Sequence, residues 1–85
     1  MYTQQFFVTH VIPEWKMIVV KNEDFENLML SFDNLDQIVV RHALTKGSGF
    51  TLYSDVWYND YLSGYFFSNW RLEKNDKNDR LKSSV

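Results

Sequence analysis

The side chains of this sequence that could do chemistry are few. They are His10 and His42, the carboxylate pairs Asp33/Asp36 and Asp55/Asp60, the hydroxyls Ser54 and Ser63, and the run Lys46-Gly47-Ser48-Gly49. A catalytic or metal-bound histidine needs an orienting carboxylate or further ligands at a fixed spacing. No His-x-x-x-His or similar pattern accompanies His10 or His42, so both read as hydrogen-bonded, partly buried imidazoles. The aspartate pairs lack the alternating oxygen ligands, central glycine and terminal glutamate of a calcium loop. Asp33 and Asp36 read as loop-shaping residues and Asp60 as part of a turn. Lys46-Gly47-Ser48-Gly49 lacks the Gly-x-x-x-x-Gly-Lys spacing of a phosphate loop, and neither Ser54 nor Ser63 sits in a nucleophile elbow. The sequence therefore points away from an enzyme, and it assigns no cofactor and no metal.

What remains is aromatic. Nine of the fifteen aromatic residues lie between Phe50 and Trp70. Each removes on the order of 150–250 Å² from water when buried, so this stretch anchors the fold and offers more aromatic surface than one small core hides. Base-stacking platforms pair aromatics with a positive groove. Here only Lys46, Arg71 and Lys74 lie near, opposed by Asp55 and Asp60. Residues 1–72 carry five Lys/Arg against eight Asp/Glu, an acidic balance that argues against a phosphate-backbone binder.

The chain has 85 residues, 45% of them apolar and 24% charged, with a net charge of −2. That is one α+β-sized domain of thin stability, since so small a chain buries only about 60% of its unfolded surface. No cysteine is present, so no disulfide or Cys-based zinc site is expected. The start carries no positive charge, and the longest aliphatic run is Met17-Ile18-Val19-Val20. These features predict neither a signal peptide nor a membrane span and fit a cytoplasmic protein. Abundant Phe, Tyr, Ile, Asn and Lys suggest a low-GC source such as a bacterium or its phage.

The elements that must position the aromatics read as follows. Gln5 to Ile12 is a strand ended by Pro13, and Trp15 to Lys21 is an interior strand with two apolar faces. Phe25, Leu28, Met29 and Phe32 fall at i, i+3, i+4 and i+7 and predict a helix begun by Asn22. Gln37 to Leu44 fits either period; its run Ile38-Val39-Val40 favours a strand, although Lys46-Gly47 would serve as a helix end. The strand reading makes 37–44 and 50–58 a hairpin. Residues 55–63 either continue that strand or form a short helix, and Tyr65 to Leu72 is the last strand. Residues 73–85 hold two Lys-Asn-Asp triplets and almost nothing apolar, and read as a disordered polar tail. The expected fold is an antiparallel sheet of about five strands with one helix on one face, ordered β-β-α-β-β-β, in a domain spanning 1–72.

Simple alternation then sorts the faces. Phe6, Val8 and Ile12, with Ile38, Val40 and Leu44 and with Phe66, Trp70 and Leu72, would meet the helix. Phe7, Val11, Tyr53, Trp57, Tyr65 and Phe67 would lie on the opposite face. A helix at 37–44 would largely remove the case for an open face. Tyr53, Trp57, Tyr65 and Phe67, with Arg71 at the rim, are therefore the expected contact surface for a protein partner or a second copy. A sugar or small-ligand platform on the same aromatics is the alternative, and single-stranded nucleic acid a weaker one. Glu23, Asp24 and Glu26, with Asp33 and Asp36, form a second, acidic surface suited to a basic partner. By size and charge this resembles the habit of small phage-made inhibitors of host proteins.

Overall fold

A computed structural model of the chain describes residues 2–72; the expected disordered tail, 73–85, lies outside the described residues. Strands β1 (Tyr2–Ile12), β2 (Met17–Lys21) and β3 (Leu28–Ser31) are followed by helix α1 (Gln37–Lys46) and strands β4 (Thr51–Asn59) and β5 (Gly64–Leu72). Short 3-10 turns at Pro13–Trp15 and Phe32–Asn34 join β1 to β2 and lead into α1. The sheet runs β3-β2-β1-β4-β5 with all neighbours antiparallel. β1 is the long central strand: Tyr2–Phe7 pairs with β4, and Phe7–Ile12 pairs with β2. α1 carries the chain from the β3 edge back to β4.

The α+β class, the five antiparallel strands and the single helix agree with the sequence reading, but the order is β-β-β-α-β-β. Two elements exchange character. Residues 25–32, expected as the helix, hold β3. The Asn22 side chain accepts from the amides of Asp24 and Phe25, both at 2.8 Å, closing a local turn where a helix cap was expected. Asn27 then adopts φ +52°, which no right-handed helix accommodates. Residues 37–44, expected as a strand, are α1. Asp36 Oδ1 accepts from the Ile38 amide at 3.2 Å, and Gly47, at φ +82°, donates to the Ala43 carbonyl at 2.8 Å. Helix propensity penalises Ile and Val by only a few tenths of a kcal/mol each. A good N-cap is worth about 1 kcal/mol and a buried Val about 1.5–3, so caps and packing outweigh the β-branched run.

The expected 37–44/50–58 hairpin is accordingly absent. β4 pairs with β1 and β5, and residues 55–63 form strand and turn with no helix. Because α1 replaces the helix expected at 25–32, one sheet face is left uncovered among the described residues.

Two bulges overturn the simple alternation. On β1 the register slips between Val8 and His10, so Thr9 is the extra residue and parity inverts beyond it. Val11 therefore joins Phe6 and Val8 on the helix side, opposite Ile18, and Ile12 turns to the other face. On β5, Asn69 and Trp70 together oppose Ser54, and Asn69 takes φ +57°. Trp70 and Leu72 consequently share the helix side with Phe67 and Tyr65, while Phe66 faces away.

The core follows these parities. Phe6, Val8, Ile18, Val20, Leu52 and Val56 are buried in the sheet under Leu35, Val39, Val40 and Ala43. Phe6 is the hub, its ring 5.0 Å from Trp70, 5.9 Å from Phe67 and 6.2 Å from Phe25. Ser54 is fully buried, and its hydroxyl donates to the Ser68 carbonyl at 3.0 Å beside the second bulge.

Candidate functional site

The pairing registers lay out the uncovered face row by row. From one end the rows are Ser31-Met17-Ile12, Met29-Val19-His10, Lys21-Phe7-Thr51, Gln5-Tyr53-Arg71, Thr3-Asp55-Ser68 and Trp57-Phe66. Apolar side chains occupy both ends. Phe7 and Met29 are about half exposed, at 46% and 51%. At the other end Trp57 and Phe66 stack with ring centroids 5.8 Å apart.

Between the ends lies a polar lattice. Arg71 Nη2 meets Asp55 Oδ1 at 3.2 Å, and Arg71 Nη1 donates to the Asn69 carbonyl at 2.7 Å. Thr3 Oγ1 donates to Asp55 Oδ1 at 3.1 Å and Asn69 Nδ2 to Asp55 Oδ2 at 3.4 Å. Partial desolvation raises the Asp55 pKa. Donors from Asn69, Thr3 and Arg71, with the Arg71 charge, outweigh it and hold the carboxyl below its ordinary value. The lattice joins β1, β4 and β5 and ties Arg71, the strand partner of Tyr53, to Asp55 and Thr3.

Of the residues expected to form one contact face, the structure brings together Tyr53, Trp57 and Arg71. Tyr65 and Phe67 lie on the helix side, because the Asn69 bulge inverts parity. Phe67 packs on Phe25 and Trp70 at 5.1 and 5.8 Å. Tyr65 extends that chain of rings to Phe25 at 5.2 Å and Tyr58 at 5.0 Å. The two tyrosines lie at the end of β4 and β5 farthest from the Leu52-Leu72 pair, where α1 packs, and remain about half exposed. Beyond them Tyr61 and Leu62 project from the Asp60–Ser63 turn, with Tyr61 93% exposed.

Sequence reasoning missed Phe66, Met17, Met29 and Ile12 on the open face. Only Asn69, a residue tolerant of left-handed φ within an aromatic strand, hinted at the slip. The acidic residues Glu23, Asp24 and Glu26 occupy the exposed turn between β2 and β3, with Asp33 inside the next 3-10 turn and Asp36 at the N-cap of α1. Glu23 and Glu26 line an open groove of about 640 Å³ with Lys21 and Phe7, so the acidic patch adjoins the uncovered face.

The remaining chemical candidates stay apart. His10 is exposed on the open face, its Nδ1 3.0 Å from Thr9 Oγ1. His42 lies half-buried on α1, edge-on to the Phe50 ring at 4.6 Å. His10 is therefore not the partly buried, helix-side residue that alternation implied. Gly49 donates its amide to the Val8 carbonyl at 2.8 Å, which fixes the Lys46–Gly49 run as the approach to β4. Among the described residues no group of three His, Cys, Asp or Glu is placed to hold a metal, and no helix is long and apolar enough to cross a membrane. Neither a family model, nor a curated protein sequence, nor a solved structure matches this chain.

Proposed function

We propose that this is a non-enzymatic binding protein that acts by protein–protein contact through the helix-free face of its sheet. The observation that carries the reading is that α1 covers one face only. The other face holds Phe7, Met29, Tyr53, Trp57 and Phe66 around the Asp55–Arg71 lattice. Aromatic and Arg side chains on a preformed surface are the usual anchors of protein interfaces. The adjoining Glu23 and Glu26 favour a partner with a basic rim, since complementary charge speeds encounter and fixes orientation. A host protein contacted by a phage or mobile-element regulator is the kind of partner this surface suits.

The test is affinity capture from a bacterial lysate followed by a dissociation constant for the purified partner. Trp57→Ala should weaken binding by more than ~2 kcal/mol, about thirtyfold, while the variant stays folded. Ile38→Ala, on the exposed side of α1, should leave the constant unchanged. Unfolding of Trp57→Ala, or equal affinities for all three proteins, would overturn the assignment of this face.

A further inference from the structure

We propose that β5 is the seam of a two-fold homodimer, in which the β5 strands of two copies pair antiparallel and join their sheets into one of ten strands. This goes beyond the contact face described above, because the seam runs along the sheet edge, takes only Phe66 at the margin of the helix-free face and leaves the rest of that face open.

The two edges of the sheet differ. β3 has four residues and is flanked by acidic turns, whereas β5 has nine. Natural edge strands are blunted by charge, proline or shortness. From Tyr61 to Trp70 this chain has neither a charged residue nor a proline. Alternate residues of Gly64–Ser68 turn their N–H and C=O away from β4, and the left-handed Asn69 ends the flat stretch.

That stretch is self-complementary. A two-fold axis at Phe66 pairs Gly64 with Ser68, Tyr65 with Phe67 and Phe66 with its own copy. Aromatic pairs then form on both faces of the seam. On the helix-free face the Trp57-Phe66 stack meets its copy, giving a row of four rings. Such an isologous contact closes on itself, so two copies form a dimer and no fibre. Five residue pairs bury less than a standard interface, so dissociation falls on the order of micromolar.

The experiment is molar mass by sedimentation and light scattering on the full 85-residue chain from about 1 to 500 µM. The wild type should pass from monomer to dimer. Phe66→Lys and Phe66→Glu, each placing like charges at the axis, should raise the dissociation constant at least tenfold. An equimolar mixture of the two should recover a dimer. A wild type that stays monomeric, or a Phe66→Lys variant that dimerises as before, would overturn the seam. So would dimerisation only after residues 73–85 are removed, because the tail would then hold the edge. Should either variant unfold, amide exchange decides. Protection of the Tyr65–Ser68 amides that rises with wild-type concentration supports pairing, and unchanged protection refutes it. A monomeric wild type whose Trp57-dependent partner binding is intact would refute the seam alone.

Discussion

Phe66 and Phe67 are neighbours in sequence and opposites in environment, and truncating each to alanine should separate them. Phe67 packs on three rings, Phe6, Phe25 and Trp70, within 5.9 Å and belongs to the shell of the core. Truncating a buried Phe costs about 3–5 kcal/mol. Residual exposure of Phe67 trims this to about 2.5–4. Phe66 has one ring neighbour, Trp57. An aromatic pair is worth about 0.5–1.5 kcal/mol, so Phe66→Ala should cost about 1. For a domain of this size about 1 kcal/mol moves Tm by roughly 4–8 °C. Phe67→Ala should therefore melt at least ~10 °C below wild type and Phe66→Ala only ~5 °C below. The assay is thermal and urea unfolding followed by far-ultraviolet circular dichroism at submicromolar concentration, where self-association adds little. Equal losses, or a larger loss for Phe66, would refute the Asn69 bulge and restore uninterrupted alternation along β5.

Asp36→Ala should cost about 1 kcal/mol by removing the cap of α1, checked by the same unfolding titration; no loss would mean that packing alone holds the helix. Ser54→Ala should cost about 1 kcal/mol or more, because it strips the Ser68 carbonyl of its hydroxyl donor, and Ser54→Thr would show whether the donor or the volume matters. The Asp55 carboxyl is held below its ordinary value, so its contribution is fully present above the unfolded pKa of about 3.9 and disappears as pH falls through the lower folded value. Acid unfolding of wild type should thus be steeper below about pH 4 than that of Asp55→Asn, and parallel curves would contradict the lattice.

The class of fold was legible in the chain because the runs of Phe, Val, Ile and Thr at β1, β2 and β4 and the stop at Pro13 are local signals. The two exchanged elements were not, and for the same reason. Asn22 offers the same side-chain acceptor to a helix and to a closed turn, and only Asn27 at positive φ decides between them. Ile38-Val39-Val40 carries strand propensity, yet Asp36 and Gly47 cap it as a helix, and a face of Val39, Val40 and Ala43 seats it on the sheet. The candidate surface was half legible. Tyr53 and Trp57 lie on β4, which keeps plain alternation, and Arg71 follows the β5 bulge on the face that alternation gives it. Tyr65 and Phe67 were assigned to the wrong face because one extra residue at Asn69 inverts everything on the other side of it. A bulge has no strong sequence signature, and a single slip re-sorts a whole strand.

Hydroxyl-radical footprinting of the protein alone and with its captured partner shows whether the helix-free face is the contact surface. Oxidation of Phe7, Met29, Tyr53 and Trp57 should fall on binding, while Ile38 and Leu44, exposed on α1, should react as before. Protection of Ile38 and Leu44 with Met29 and Trp57 unchanged would contradict the account.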